Sequence, residues 1–428
     1  MTPFWIGVTG IIILLVLIAI RCPIALAMAV VGFFGFATLV ALDPAVPVGA
    51  SAPFELLTSY GFSPIPLFIF MGALASHSGM AGQLFSGARS LFGGWRGGTA
   101  LAALSACGVL SAISGSSVAT AATMTRVALP EMERNGYSPA LATGALAAGG
   151  TLGIMIPPSI ALLLYGLITE QSVGDMFLAG LTPGLLGLVM YSLTVAILVY
   201  LRPSLAAGSP STTLWEKLAG VAKMGPFLLV FAIIMGGLYG GIFTPTEAAG
   251  IGAFVTLIVA VIRGLRWRGF VEATVEALTT SALIFFMLMG AEVFGYFLSV
   301  SRLPFTIAEM FADFGFAPFG ILLCILLLYL VLGCFMDSIA MMLLTVPVVF
   351  PLIQQAGFDP IWFGVVTVLT VELGLITPPV GMNVFVINAA ARHVPLGQIF
   401  RGVAPFVVSD LVRLALLLAF PAIALWLV

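Results

Sequence analysis

Ser114, Gly115, Ser116 and Ser117 interrupt an apolar stretch that otherwise reads as helix. Hydroxyls at such a place suit two kinds of chemistry. A serine nucleophile needs a general base within hydrogen-bond reach. The chain has two histidines, His77 and His393, and both are expected at a membrane boundary rather than at the depth of these serines. An intramembrane hydrolase using Ser116 or Ser117 is therefore the weaker reading. The other chemistry is ion coordination, in which hydroxyls join backbone carbonyls released from a broken helix. A second interruption supplies such carbonyls: Gly-x-x-x-Pro-Pro, from Gly153 to Pro158.

The pattern returns at a constant offset of 221 residues. Pro130, Gly136, Pro139, Leu152, Gly153, Pro157 and Pro158 recur as Pro351, Gly357, Pro360, Leu373, Gly374, Pro378 and Pro379. The serine cluster falls opposite Gly333, Asp337 and Ser338. Seven identities in fixed register indicate a duplicated unit. Four helix breaks result, and each exposes backbone groups that cost several kcal/mol in hydrocarbon. Such breaks persist only against protein or a wet cavity. Freed carbonyls there can coordinate Na+, half-helix N-termini can face an anion, and Ser114, Ser116, Ser117, Ser338 and Thr377 can complete the sites. Substrate is expected between the two units, against Ser116, Asp337, Ser338, Pro158, Pro379 and Asn383. Asp337 either bonds the amides of its own loop or partners a cation or proton; Glu372 reads as a structural hydrogen-bonding group.

These residues need elements to hold them. Of the 428 residues 61% are hydrophobic and 7% charged, against about 25% charge in a soluble domain. Mean hydropathy is +1.22. The chain is an all-α polytopic membrane protein, and its net charge of −2 carries no basic tail for nucleic acid. Cys22, Cys107, Cys324 and Cys334 lack metal-type spacing and read as small apolar fillers. Apolar runs at 4–20 and 23–41 precede a polar stretch with Asp43 and Glu55. The first run lacks a cleavage site and reads as a retained span. A span at 63–78 and an amphipathic, Gly-rich arm at 79–96 follow. Within 97–130 two arms of about 16 residues each reach about 25 Å, short of the roughly 30 Å core, so a re-entrant hairpin is expected. A broken span at 138–168 and a span at 176–200 complete the first repeat, 1–200. After a polar linker, 201–223, the second repeat, 224–428, has spans at 225–242, 247–262 and 277–300, an arm at 303–315, a hairpin at 316–354, a broken span at 360–391 and a last span at 404–427.

Orientation follows from lysine and arginine. With the N-terminus outside, the inner face receives Arg21, Arg89, Arg96, Arg126, Arg134, Arg202, Lys217, Lys223, Arg263, Arg266, Arg268, Arg392 and Arg401, and the outer face only Arg302; Arg413 lies within the last span. This makes the repeat inverted, with five spans and one re-entrant hairpin per half. Spans 4–41 and 225–262 carry no breaks and read as a static scaffold.

The strings ISGSSVATAA, GIMIPPS and GLITPPVGMNVF, with Pro130, Gly136, Tyr137 and Pro139, resemble the large membrane subunit of TRAP transporters, the DctM family, and the likeness runs over essentially the whole chain. The resemblance implies an elevator-type transporter of the ion-transporter superfamily, in the bacterial inner membrane with a periplasmic N-terminus. It implies import of an organic acid (a carboxylate) with two or more Na+ ions and no organic cofactor. It implies two partner chains, a DctQ-type small membrane subunit and a DctP-type periplasmic substrate-binding protein. One sodium site is implied at Ser114, Ser117, Gly153, Ile156 and Pro157, the other at Gly333, Gly374, Thr377 and Val380. The alternative is a binding-protein-independent Na+/carboxylate symporter or exchanger, or a channel, on a related fold.

Overall fold

The computed structural model describes residues 2–206, 211–313, 315 and 317–428. Residues 207–210 of the expected linker, and 314 and 316 at the junction of the second arm and hairpin, lie outside the described residues. All regular structure among the described residues is helical. Among the described residues six helices are long and apolar enough to cross a membrane, or up to eight if each bent pair is one span. Ile12, Leu193, Ile197, Phe254 and Val261 are exposed on their outer faces, as lipid contact requires.

Each expected hairpin is two antiparallel helices: Gly98–Ser114 with Ser117–Arg134, and Pro318–Gly333 with Ser338–Gln355. Local chemistry makes the first tip. Gly115 ends the first arm at φ +62°, a conformation a Cβ disfavours. Ser116 is extended, and its hydroxyl accepts from the Ala119 amide to cap the second arm. At the second tip Asp337 plays the capping part, accepting from the Ile339 amide at 3.2 Å.

The breaks fall where the prolines place them. Pro139–Met155 is followed by Ile160–Ile168, and Pro360–Ile376 by Met382–Ala390. Ile156 and Thr377 each precede a proline and are extended, because proline Cδ disfavours αR in the residue before it. Both Pro–Pro peptides are cis. Ser159 restarts the first helix by capping Leu162; Gly381, at φ +63°, precedes the second restart.

Two expectations shift. The polar stretch with Asp43 and Glu55 is itself helical, Leu42–Thr58, and meets the next segment, Tyr60–His77, at a 58° bend. At the 221-residue offset its counterpart is one continuous helix of 35 residues, Trp267–Ser301. Pro47, Pro53, Pro64 and Pro66 interrupt the first copy, and the second has no proline. The polar linker is shorter than expected, since helix Leu214–Tyr239 starts inside it on a capping box of Thr213 and Glu216.

The centre of the molecule is built from Gly98–Ser114, Pro139–Met155 and Pro360–Ile376, helices buried nearly all round. Small residues permit the approach: a Cβ on Gly144 would stand 2.2 Å from the Gly402 carbonyl oxygen. Trp267–Ser301 packs on Ile24–Leu39 and Pro64–His77 beside this centre. Cys107 and Cys334 are buried and Cys324 is exposed.

Candidate functional site

The two hairpin tips meet at one cavity of about 260 Å³. Ser114, Gly115, Ser116 and Ser117 line it from the first tip, and Asp337 and Ser338 from the second. The opposite wall is Trp267–Ser301, which contributes Glu276, Thr280, Leu283 and Met287, with Ser76 from the neighbouring helix. Residues of both tips thus line the same cavity. The Ser116 hydroxyl and the amino end of Ser117–Arg134 give the cavity donors for an anion, beside the carboxyl groups of Asp337 and Glu276. A larger cavity of about 580 Å³ lies further along the same helix, lined by Leu288, Ala291, Glu292, Gly295 and Ser299. It touches neither tip, so the smaller cavity is the candidate site.

The remaining expected substrate residues stand elsewhere. Pro158 is buried and Pro379 exposed, and the cavity reaches neither. Asn383 is fully buried behind the first tip. Its Nδ2 donates to the Ser117 hydroxyl at 2.7 Å and to the Ala147 carbonyl at 3.4 Å. Its amide is committed to holding the tip, while its Oδ1 is without a partner. Glu372 is also fully buried and accepts from the Ser338 hydroxyl at 2.7 Å.

The first set of implied ion ligands is enclosed. Ser114 Oγ and Thr120 Oγ1 are 2.9 Å apart. Ser117, Ile156 and Pro157 are buried. Gly153 lies so close to the first hairpin that a Cβ would fall 1.2 Å from that of Ser111. Pro157 and Pro158 have no N–H, so the carbonyls of Gly153 and Ile154 lose their helical donors. The second set is more open. Gly333 and Gly374 cross backbone to backbone, and a Cβ on Gly374 would stand 2.7 Å from Gly333 Cα. The Gly381 amide donates to the Cys334 carbonyl at 3.2 Å, tying the break to the tip. Thr377 Oγ1 donates to the Leu373 carbonyl at 2.6 Å, which leaves its lone pairs available. Val380 is half-buried and Pro378 exposed. Uncharged hydroxyl and carbonyl oxygens of this kind fit a hard alkali cation rather than a soft metal.

Sequence reasoning missed two groups. One is the wall of Glu276 and Thr280, whose helix looks like an ordinary span in sequence; in the structure Glu276 is bonded to His77 at 2.6 Å. The other is a buried cluster. Asp410 and Arg413 form an ion pair at 2.8 Å, both within 1% of full burial. Tyr191 donates to Asp410, Thr151 lies 3.1 Å from the Tyr191 hydroxyl, and the guanidinium sits 5.7 Å from the Tyr191 ring centre. An acid and a base three residues apart in an apolar span were the available signal.

The chain matches, over residues 11–423, the family model described as "Tripartite ATP-independent periplasmic transporter, DctM component". It is 37% identical over 398 residues to the C4-dicarboxylate TRAP transporter large permease protein DctM of Pseudomonas aeruginosa, covering 92% of each chain. It is 33% identical over 363 residues to the sialic acid TRAP transporter large permease protein SiaM of Vibrio cholerae, covering 84% of each. With the isethionate TRAP transporter permease protein DctMQ of Oleidesulfovibrio alaskensis it shares 33% identity over 419 residues, 96% of this chain and 64% of that one. Among solved structures, the Alcanivorax borkumensis YdaH transporter superposes with a TM-score of 0.62 at 15% identity, over 91% of this chain and 90% of that one, a likeness of fold alone. The paired hairpins and Pro–Pro breaks therefore sit in a multi-pass membrane permease, not an enzyme, and the chain belongs to the DctM family as the large permease subunit of a TRAP transporter.

Proposed function

We propose that this subunit imports an organic acid across the bacterial inner membrane, driven by Na+ and supplied by a periplasmic binding protein. The observation that carries the reading is the single cavity where the tips of both halves converge on hydroxyls, with uncharged oxygen sets behind each tip. Ser114, Ser117, Gly153, Ile156 and Pro157 hold one Na+, and Gly333, Gly374, Thr377 and Val380 another. Ser116 faces the substrate carboxylate, and Ser338, whose proton goes to Glu372, lines the same cavity. Relatives named for C4-dicarboxylate, sialic acid, isethionate and ectoine support a substrate bearing a carboxylate or sulfonate.

The bias of thirteen basic residues against one supports an N-terminus in the periplasm and an inverted repeat. Counterpart hairpins and breaks at a constant offset support a moving unit of 97–168 and 316–391, which shifts along the membrane normal as an elevator. Spans 4–41 and 225–262 are the scaffold, the small DctQ-type subunit packs on their side, and the binding protein docks from the periplasm. A relative whose name joins DctM and DctQ supports the pairing.

The test is uptake into proteoliposomes carrying the large and small subunits, with the binding protein added outside. Uptake should require inward Na+ and the binding protein. Full uptake with choline in place of Na+ overturns the coupling, and full uptake without binding protein supports the exchanger reading instead.

A further inference from the structure

Glu372 reaches both hairpin tips. It sits in Pro360–Ile376, two residues before Gly374, and is fully buried. Its Oε1 accepts from Ser338, the first residue of the second hairpin's second arm. The hydroxyl of Ser117, the first residue of the equivalent arm in the other half, lies beside the same carboxylate. The second carboxylate oxygen, Oε2, makes no hydrogen bond in this conformation. Among the described residues Glu372 has no ion pair: its charged neighbours are Asp337 and Asp410, and Arg413 is paired with Asp410. A buried carboxyl group so placed needs hydrogen-bond partners.

Valence around Ser117 shows how the second oxygen gains one. A serine hydroxyl has one proton and two lone pairs. One lone pair of Ser117 takes the Nδ2 proton of Asn383. A cation in the first set occupies the other. The hydroxyl proton then has one direction left, toward Glu372, and coordination of its oxygen makes it a stronger donor. The carboxylate that receives it is already bonded to Ser338, beside the tip whose Gly333 backbone crosses Gly374.

We propose that Glu372 is a positioning residue that couples the two cation sets, holding a hydroxyl of each hairpin tip so that a cation in the first set orders the tip that closes the second. The coupling rests on the sodium reading above. It has a definite sign: the first ion raises affinity for the second, and by linkage the second does the same for the first.

The experiment is equilibrium binding of radioactive sodium to the purified complex of large and small subunits, without substrate, at ionic strength held constant with choline chloride. Wild-type protein should bind with a Hill coefficient well above 1. Glu372→Ala should bring it to about 1 and raise the half-saturating Na+ concentration on the order of tenfold, within the usual range of allosteric coupling. Glu372→Gln keeps an acceptor for Ser338 and should fall between the two. Ser338→Ala removes one hydroxyl while leaving the buried carboxylate in place. It should also lose cooperativity, and it decides the matter if Glu372→Ala does not fold. A Hill coefficient unchanged in a folded Glu372→Ala or Ser338→Ala protein, or one of 1 in the wild type, overturns the coupling alone. Absence of saturable Na+ binding in the wild type overturns the sodium reading and the coupling with it.

Discussion

Asn383 donates to the Ser117 hydroxyl at 2.7 Å across 266 residues of sequence. The bond joins the restart of the second broken helix to the start of the first hairpin's second arm. Both residues are buried, so water cannot replace the partner. Asn383→Leu keeps a similar shape but takes away the donor to the buried Ser117 hydroxyl oxygen. An unmade buried hydrogen bond costs about 1–3 kcal/mol. The variant should melt several degrees lower in thermal unfolding of the purified complex, and its apparent Na+ affinity for uptake should weaken. An unchanged melting temperature would remove the pin from the account of the first tip.

Gly374 and Gly333 tolerate bulk unequally. The nearest atoms to a Cβ on Gly374 are Gly333 backbone at 2.7 Å, whereas one on Gly333 first meets the Val371 carbonyl oxygen at 3.0 Å. Backbone cannot swing aside as a side chain can, and overpacking costs about 1–3 kcal/mol. Gly374→Ala should abolish uptake with membrane insertion intact, and Gly333→Ala should reduce it only in part. Gly115→Ala adds a strained φ to a 2.7 Å approach to Ile160 and should behave like Gly374→Ala. The check is uptake normalised to inserted protein; full activity of Gly374→Ala would show that the crossing opens without cost.

Asp410 and Arg413 hold each other inside the membrane domain. Gly187 leaves the space for the guanidinium, since a Cβ there would stand 1.6 Å from Nη1. Removing one partner of a buried pair leaves an uncompensated charge at about 3–5 kcal/mol. Asp410→Asn should therefore be strongly destabilised, and Asp410→Leu with Arg413→Met should regain much of the loss. Melting of the three proteins side by side checks this. A double variant no more stable than Asp410→Asn would mean that the pair itself, not its charge balance, holds Tyr191 and Thr151.

How far these features could be read from sequence depended on whether the cause was local. Gly115, Ser116 and the Pro–Pro pairs act on their own backbone, so both tips and both breaks stood where the residue types put them. The span boundaries were less legible because hydropathy is blind to helix in polar residues: Leu42–Thr58 holds Asp43, Glu55 and two prolines inside the helix, yet is helical. Contacts between distant elements were not legible at all. Nothing near Asn383 in sequence says that its amide meets Ser117, and nothing in Trp267–Ser301 says that one face, at Glu276, Thr280, Leu283 and Met287, fronts the tips.

That face gives the proposed elevator a measurable track. The stripe continues along the same helix to Leu288, Ala291, Gly295 and Ser299, which line the larger cavity. Thr280 and Ala291 are separated by about 16 Å at 1.5 Å per residue. If the moving unit travels along the helix, Ser338 should stand near Thr280 in one state and near Ala291 in the other. Cysteine pairs Ser338→Cys with Thr280→Cys, and Ser338→Cys with Ala291→Cys, are introduced with the native cysteines replaced. The first pair should crosslink in the conformation described here. The second should crosslink when Na+ and the loaded binding protein shift the population, and each crosslink should block uptake. A rocking motion would bring Ser338 away from the helix without changing its level. Crosslinking of the Thr280 pair alone, under every condition and without loss of transport, would exclude the elevator for this chain.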